Sequence, residues 1–142
     1  MNVESDSIHV TTQAFAAPFE FVWPRLTNPL NFPRYYPHWI TEIAPSDREE
    51  FLGKDEMGDE FSIRPVLNRD TGAIDFEVTV PGEAPELSRS RLFPLKQEGC
   101  VLLHLAVRWE GVSDEFWQNH KVVTDNDLAN ASAIIGDEFR NA

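Results

Sequence analysis

Apolar and polar residues alternate with a period of two over Ile8–Phe15 (IHVTTQAF), a β-branched run that predicts a strand. Ala17-Pro18 ends it, and Pro18 suits the first turn of a helix with Phe19, Val22, Trp23 and Leu26 at helical spacing. Pro24 falls inside that pattern and predicts a short or kinked helix. Pro29, Pro33 and Pro37 then prevent one long helix. They leave a turn, one more helical turn and an aromatic cluster, Tyr35-Tyr36-Pro37-His38-Trp39. From Trp39 the period returns to two, with strands predicted over residues 39–44, 60–66, 73–80, 86–93 and 101–109. Turn-forming residues at 68–72, 81–83 and 97–99 separate them, and such short separators favour antiparallel hairpins. Residues 47–60 hold seven acidic and two basic residues and predict a loop, or a hairpin with a short strand at 50–52.

After Gly111 the period becomes 3.6, with Ser113 or Asp114 able to cap a helix. Phe116, Trp117, Val123, Leu128, Ala131, Ile134 and Ile135 share one broad face. Gln118, Asn119, Asp125, Asn126, Asn130, Ser132 and Asp137 lie opposite, and the helix is expected to end near Gly136 or to fray past it. The order is strand, two short helices, five or six antiparallel strands and one long helix, an α+β arrangement. A curved sheet needs its concave face covered, and the C-terminal helix is the element long enough to do it.

The 142 residues suit one domain, residues 1–142, with 1–7 frayed. A formal charge of −12 repels phosphate backbones and anionic lipids, which disfavours nucleic-acid and membrane-surface partners. Cys100 is the only cysteine, which excludes an intramolecular disulfide and a cysteine-rich zinc site. No run of 18 apolar residues exists to span a bilayer, and the acidic N-terminus lacks a signal-peptide core, so a cytoplasmic protein is expected. The sequence contains no GxSxG, P-loop, GxGxxG or HExxH motif.

Phe21-Val22-Trp23-Pro24-Arg25-Leu26-Thr27-Asn28 and Phe32-Pro33-Arg34-Tyr35-Tyr36-Pro37-His38-Trp39 resemble the "vW..LtD" helix and "fp.w.P" segment of the START-like, Bet v 1-like (SRPBCC) superfamily. Arg91-Leu92-Phe93-Pro94-Leu95 before Gly99 is similar to that group's penultimate strand and turn. Gly111-Val112-Ser113-Asp114-Glu115-Phe116 is similar to its entry into the C-terminal helix. The likeness spans roughly residues 8–140 and is greatest to small bacterial members described as polyketide cyclase/dehydrase and lipid transport proteins. It implies a helix-grip fold, with a curved antiparallel sheet wrapped around the C-terminal helix. It also implies a small hydrophobic, aromatic or lipid-like ligand, no cofactor, and a monomer or homodimer. Pro24 departs from the usual helix former, and the absence of a Rieske-type Cys/His set excludes the iron-dependent oxygenase branch.

His120, Thr124 and Asp127, at i, i+4 and i+7, interrupt the apolar stripe of the long helix where packing alone predicts Leu or Ile. They either line a hollow and meet a ligand, or they satisfy one another's neighbours: Asp127 a strand arginine, His120 a carbonyl. Arg89 and Arg91 share a strand face. Turned inward they would hold an anion, and turned outward they would pair on the convex side. Tyr35, Tyr36, Trp39, Phe61, Phe76, Trp109 and Trp117 are core aromatics or pocket walls. His104 is either solvent-facing or satisfied in the core. A metal on His104, His120 and Asp127 would have suitable ligand types, but nothing in the spacing demands it, and no metal is expected. Two alternatives stand beside ligand binding. One is a cyclase- or aromatase-like enzyme with His120 and Asp127 moving protons, although the i, i+7 rise puts their backbones about 10 Å apart. The other is an interaction protein, like the superfamily's chaperone-activator branch, using the outer sheet face.

Overall fold

The computed structural model describes residues 5–47, 49–96 and 98–142. Strand β1 (Ile8–Phe15) leads into α1 (Phe19–Thr27), a 3-10 turn (Pro29–Asn31) and α2 (Phe32–Tyr35). Six strands follow: β2 (Glu42–Pro45), β3 (Phe51–Lys54), β4 (Glu60–Asn68), β5 (Ala73–Thr79), β6 (Glu86–Pro94) and β7 (Cys100–Val107). The last element is α3 (Asp114–Arg140). The seven strands form one antiparallel sheet in the order β1-β7-β6-β5-β4-β3-β2.

Most predicted elements occur, with shifted ends. The strand expected from Trp39 begins at Glu42. Backbone N–H groups of Trp39 and Ile40 both bond the Tyr36 carbonyl, which continues the α2 turn instead of starting a strand. The acidic segment supplies a strand, β3, displaced slightly from 50–52. Helix α3 runs through Gly136 to Arg140. Ser113 caps it by accepting the Phe116 N–H at 3.1 Å, with Asp114 and Glu115 in the first turn and Arg140 in the last, as the helix dipole favours.

Pro24 sits inside α1, where it removes one backbone donor. Side chains satisfy nearby carbonyls instead. Arg25 Nη1 donates to Phe21 O at 2.9 Å, and Thr27 Oγ1 donates to Trp23 O at 2.8 Å. Val22, Trp23 and Leu26 are buried beneath. Glu138 on α3 ties the helices together: Arg25 Nε bonds it at 3.1 Å, the Tyr35 hydroxyl at 3.1 Å, and Arg34 pairs with it at 3.3 Å.

The β4–β5 turn requires glycine at position 72. Its φ is +73°, and a Cβ there would stand 2.1 Å from Leu92 O. Gly72→Ala is therefore expected to destabilise the protein by about 2 kcal/mol. Gly82→Ala, at φ +84° with nothing within 4 Å, meets only the backbone penalty and should cost visibly less in the same urea titration. Equal losses would remove the close approach as the cause.

Candidate functional site

Strand parity sorts the sheet into an inner and an outer face. On β1 the inward residues are His9, Thr11, Gln13 and Phe15, and the register pairs them in turn with Ala106, His104, Leu102 and Cys100 of β7. On β6 the inward residues are Ser88, Ser90 and Leu92. The interior therefore changes character along the strands. The half nearest α1 is apolar, with Phe15, Leu92, Cys100 and Leu102 packed on Trp23, Leu26 and Ile135. Cys100 is buried there, and desolvation pushes its thiol up to about 11, so it is not an activated nucleophile.

The opposite half is polar. Thr11, His104 and Ser90 form one rung across three strands. The Ser90 hydroxyl lies 2.8 Å from His104 Nδ1. Burial lowers the His104 pKa to about 4, helped by the neighbouring His120 and His9, so the ring is neutral at neutral pH. His120 stacks on Trp117 at 5.8 Å and meets the edge of Trp109 at 5.4 Å. Burial lowers its pKa too, as does His9. At the rim, His9 Nε2 lies 2.9 Å from Asp125 Oδ1, and Thr11 donates to the same oxygen at 2.6 Å. Burial works against the Asp125 carboxylate, but these two bonds outweigh it and hold its pKa low.

On the other flank of α3, Asp127 is 3% exposed. Its Oδ1 accepts from His38 Nδ1 at 2.9 Å and from the His38 backbone N–H at 3.3 Å. Burial raises the Asp127 pKa against the lowering effect of His38, while the hydrogen bond to Asp127 raises that of His38. Tyr36 beside it is raised by burial, with a further push from Asp127. Among the described residues, Asp127 Oδ2 is the one side-chain polar atom both sealed and unpartnered. Ser88, His120 and Thr124 have no side-chain hydrogen-bond partner there either, yet none is sealed, so they adjoin space open to solvent. The helical wheel puts Thr124 beside Trp117 and Leu128, pointing at the sheet.

The β3–β4 turn, the β5–β6 turn and the β7–α3 connection gather at this polar end. An open cleft of about 470 Å³ is lined by Asp55, Gly58, Asp59, Glu60, Phe61, Val80 and Pro81. A second, of about 320 Å³, lies among Trp109, Gly111, Val112, Ser113 and Phe116. Phe61 stacks on Trp39 at 6.1 Å.

Several expected site residues stand elsewhere. Arg89 and Arg91 lie on the exposed outer face and line no interior, because inward parity on β6 belongs to the serines and Leu92. Arg91 bonds Thr71 O at 2.8 Å and lies over the Phe93 ring. Tyr35 is buried at the closed end, its hydroxyl committed to Glu138 and pushed up to about 12 by burial and that carboxylate. Phe76 is core, edge-on to Phe32. His120 and Asp127 form no dyad, since His38 holds Asp127. His9, Thr11, Ser90 and Asp125 were missed as site residues. Asp125 reads as solvent-facing on a wheel and is half exposed, and only the proximity of β1 gives it His9 and Thr11 as partners. Thr11 and Ser90 meet His104 through the β1–β7 and β6–β7 registers, which alternation along one strand does not give. No group of three or more His, Cys, Asp or Glu among the described residues is placed to hold a metal, and no described helix is long and apolar enough to cross a membrane.

No family model matches the chain, and no curated protein matches it in sequence. Solved structures do match. An uncharacterized protein from Bacillus thuringiensis superposes with a TM-score of 0.72 at 14% identity, over 90% of this chain and 98% of its own. Zhui aromatase/cyclase from Streptomyces sp. R1128 gives 0.66 at 19% identity, over 94% of each chain. The protein has the helix-grip fold. The Aha1 dimer from Colwellia psychrerythraea shares the helix-grip frame too, with a TM-score of 0.69 at 12% identity over 91% of this chain and 96% of that one. A helix grip at such identities is a common scaffold, and the chemistry belongs to the side chains grafted on it.

Proposed function

We propose that the protein binds a small, largely aromatic or hydrophobic molecule between the N-terminal half of α3 and the sheet, entering from the polar end. One observation supports this: on the inner stripe of α3 the partly buried His120 ring lies against Trp109 and Trp117, and Thr124 follows one turn further on. Packing alone would put apolar side chains there, and unpartnered polar groups in such a place serve a ligand or water. Apolar walls supply affinity at roughly 25 cal/mol per Å² buried, and the few polar groups fix orientation.

Thr124→Phe adds bulk on this face of α3. It is expected to weaken the binding of a small aromatic by about tenfold or more while the protein stays folded. Native mass spectrometry of the purified protein, before and after the substitution, reads any co-purified molecule directly. Binding unchanged by Thr124→Phe would place the ligand elsewhere.

A second function is favoured by the neutral, unpartnered His120 ring and by the aromatase/cyclase among the structural neighbours. A neutral imidazole accepts a proton from a carbon next to a bound carbonyl. The protein would then accelerate deuterium exchange at that carbon in a carbonyl-bearing ligand, and His120→Ala would abolish the acceleration. Exchange at the buffer rate with wild-type protein would dismiss proton transfer and leave binding standing.

A further inference from the structure

We propose that the outer face of β6, β7 and β1 docks an acidic amphipathic helix of a partner protein. Apolar side chains of that helix lie on an aliphatic stripe of the sheet, and its carboxylates meet Arg89 and Arg91. The interior of the grip takes no part, so this surface is independent of the binding function above.

Strand parity supplies the apolar part. Ile8 and Val10 of β1 are 44% and 52% exposed, and Leu103 and Val107 of β7 are 37% and 55% exposed. The register sets Ile8 beside Val107, Val10 beside Leu105 and Val101 beside the exposed Phe93, so these side chains are contiguous. The outward positions of the three strands hold no Asp or Glu. A continuous exposed apolar surface of this kind marks a contact with another macromolecule. It runs about 20 Å along β7 and about 10 Å across the strands, the footprint of a helix of about four turns.

Charge selects the helix. The chain holds 24 acidic residues against 12 basic, and with that surplus its cations find carboxylates elsewhere. Arg25 and Arg34 share Glu138, Arg64 holds Glu77, Arg108 holds Asp114 and Lys121 holds Asp6. Lys54, Arg69 and Arg140 are paired too. Among the described residues, the Lys and Arg side chains with no carboxylate at ion-pair distance are Arg89, Arg91 and Lys96, all on β6 or just past its end. Asp75 stands opposite Arg89 in the register yet makes no ion pair with it. Arg91 is anchored by the Thr71 carbonyl at 2.8 Å and by the Phe93 ring, which leaves its remaining N–H groups for a carboxylate. Two residues along one strand face separate the arginines by about 7 Å, and carboxylates at i and i+4 of a helix are about 6 Å apart along its axis. Such a pair reaches both guanidinium groups at once. A second copy of this chain fits less well, because a two-fold contact sets the same unpaired cations against one another.

Two labelled helical peptides of about 18 residues test this, each with one row of leucines, flanked by glutamates in one and by lysines in the other. Fluorescence anisotropy with the full chain at neutral pH and low salt is expected to show the glutamate peptide binding, with the lysine peptide weaker by about tenfold or more. The field of the whole chain, at −12, runs against that order, so only the local cations produce it. Arg89→Glu with Arg91→Glu is expected to weaken the glutamate peptide by about tenfold or more, and Val107→Ser to do so through the apolar stripe. Urea unfolding checks that each variant is folded, and Arg89→Gln with Arg91→Gln replaces the double reversal should it not be. A lysine peptide that binds as tightly, no binding by either peptide, or a folded variant that binds as wild type each overturns the proposal. So does a chain that sediments as a dimer until Val107→Ser is introduced, which assigns the face to a second copy.

Discussion

Trp117→Ala is expected to lower the unfolding free energy by about 3–5 kcal/mol, the usual cost of emptying a large buried aromatic site. Trp117 is fully buried, stacks on His120, meets Trp109 edge-on at 6.3 Å, and donates from Nε1 to Asp6 O at 2.6 Å. It joins three parts of the fold: the N-terminal segment, the β7–α3 connection and the inner stripe of α3. The loss should appear as a fall in Tm of roughly 10 °C. Trp117→Phe keeps most of the bulk and removes the hydrogen bond, so about 1 kcal/mol separates it from wild type beyond the packing change. If Trp117→Ala unfolds within about 1 kcal/mol of wild type in urea, the residue is not the keystone of the polar end.

Acid should destabilise the protein through His104. In the unfolded chain an imidazole takes its proton below about pH 6.5. In the folded protein this ring stays neutral down to about 4, chiefly because it is buried. Between those values the unfolded state binds more protons, so stability falls as pH falls. The stability present above the unfolded pKa is lost across this window and is gone below the folded one, a change of about 3 kcal/mol. His120 is shifted in the same direction and adds to the same slope. Urea unfolding of wild type and His104→Gln across the window isolates the contribution, because the variant lacks the titrating group. Parallel pH profiles would show that His104 is protonated as readily in the folded protein as in the unfolded one.

The outer face bears on the remaining alternative. Ile8, Val10, Leu103 and Val107 are exposed on neighbouring strands β1 and β7, with Phe93 and Arg91 beside them on β6. This is the surface that the interaction-protein alternative requires. The inner polar half has no part in it.

Period-two runs and proline positions made the sheet and the short helices legible in advance. The 3.6 period after Gly111 did the same for α3, because local burial periodicity survives in the order of residues. The strand at β3 was obscured by surrounding acid, since its pairing with β2 and β4 outweighs local composition. His120 and Thr124 stood out because they break an apolar stripe. Arg89 and Arg91 did not declare their face, as alternation says which residues share a side and not which side is inside.

Residue order alone determined the elements, their succession, the single cysteine, and a net acidity that disfavours polyanionic partners. Tertiary structure alone decided that His104 meets Ser90 and that Asp125 turns toward β1. It also decided that His38 claims Asp127, that Arg108 pairs with Asp114 and that Lys121 pairs with Asp6. The physical reason is that a side chain's protonation and partners depend on what lies within a few ångströms. Here those neighbours come from strands and helices as many as 116 residues apart along the chain.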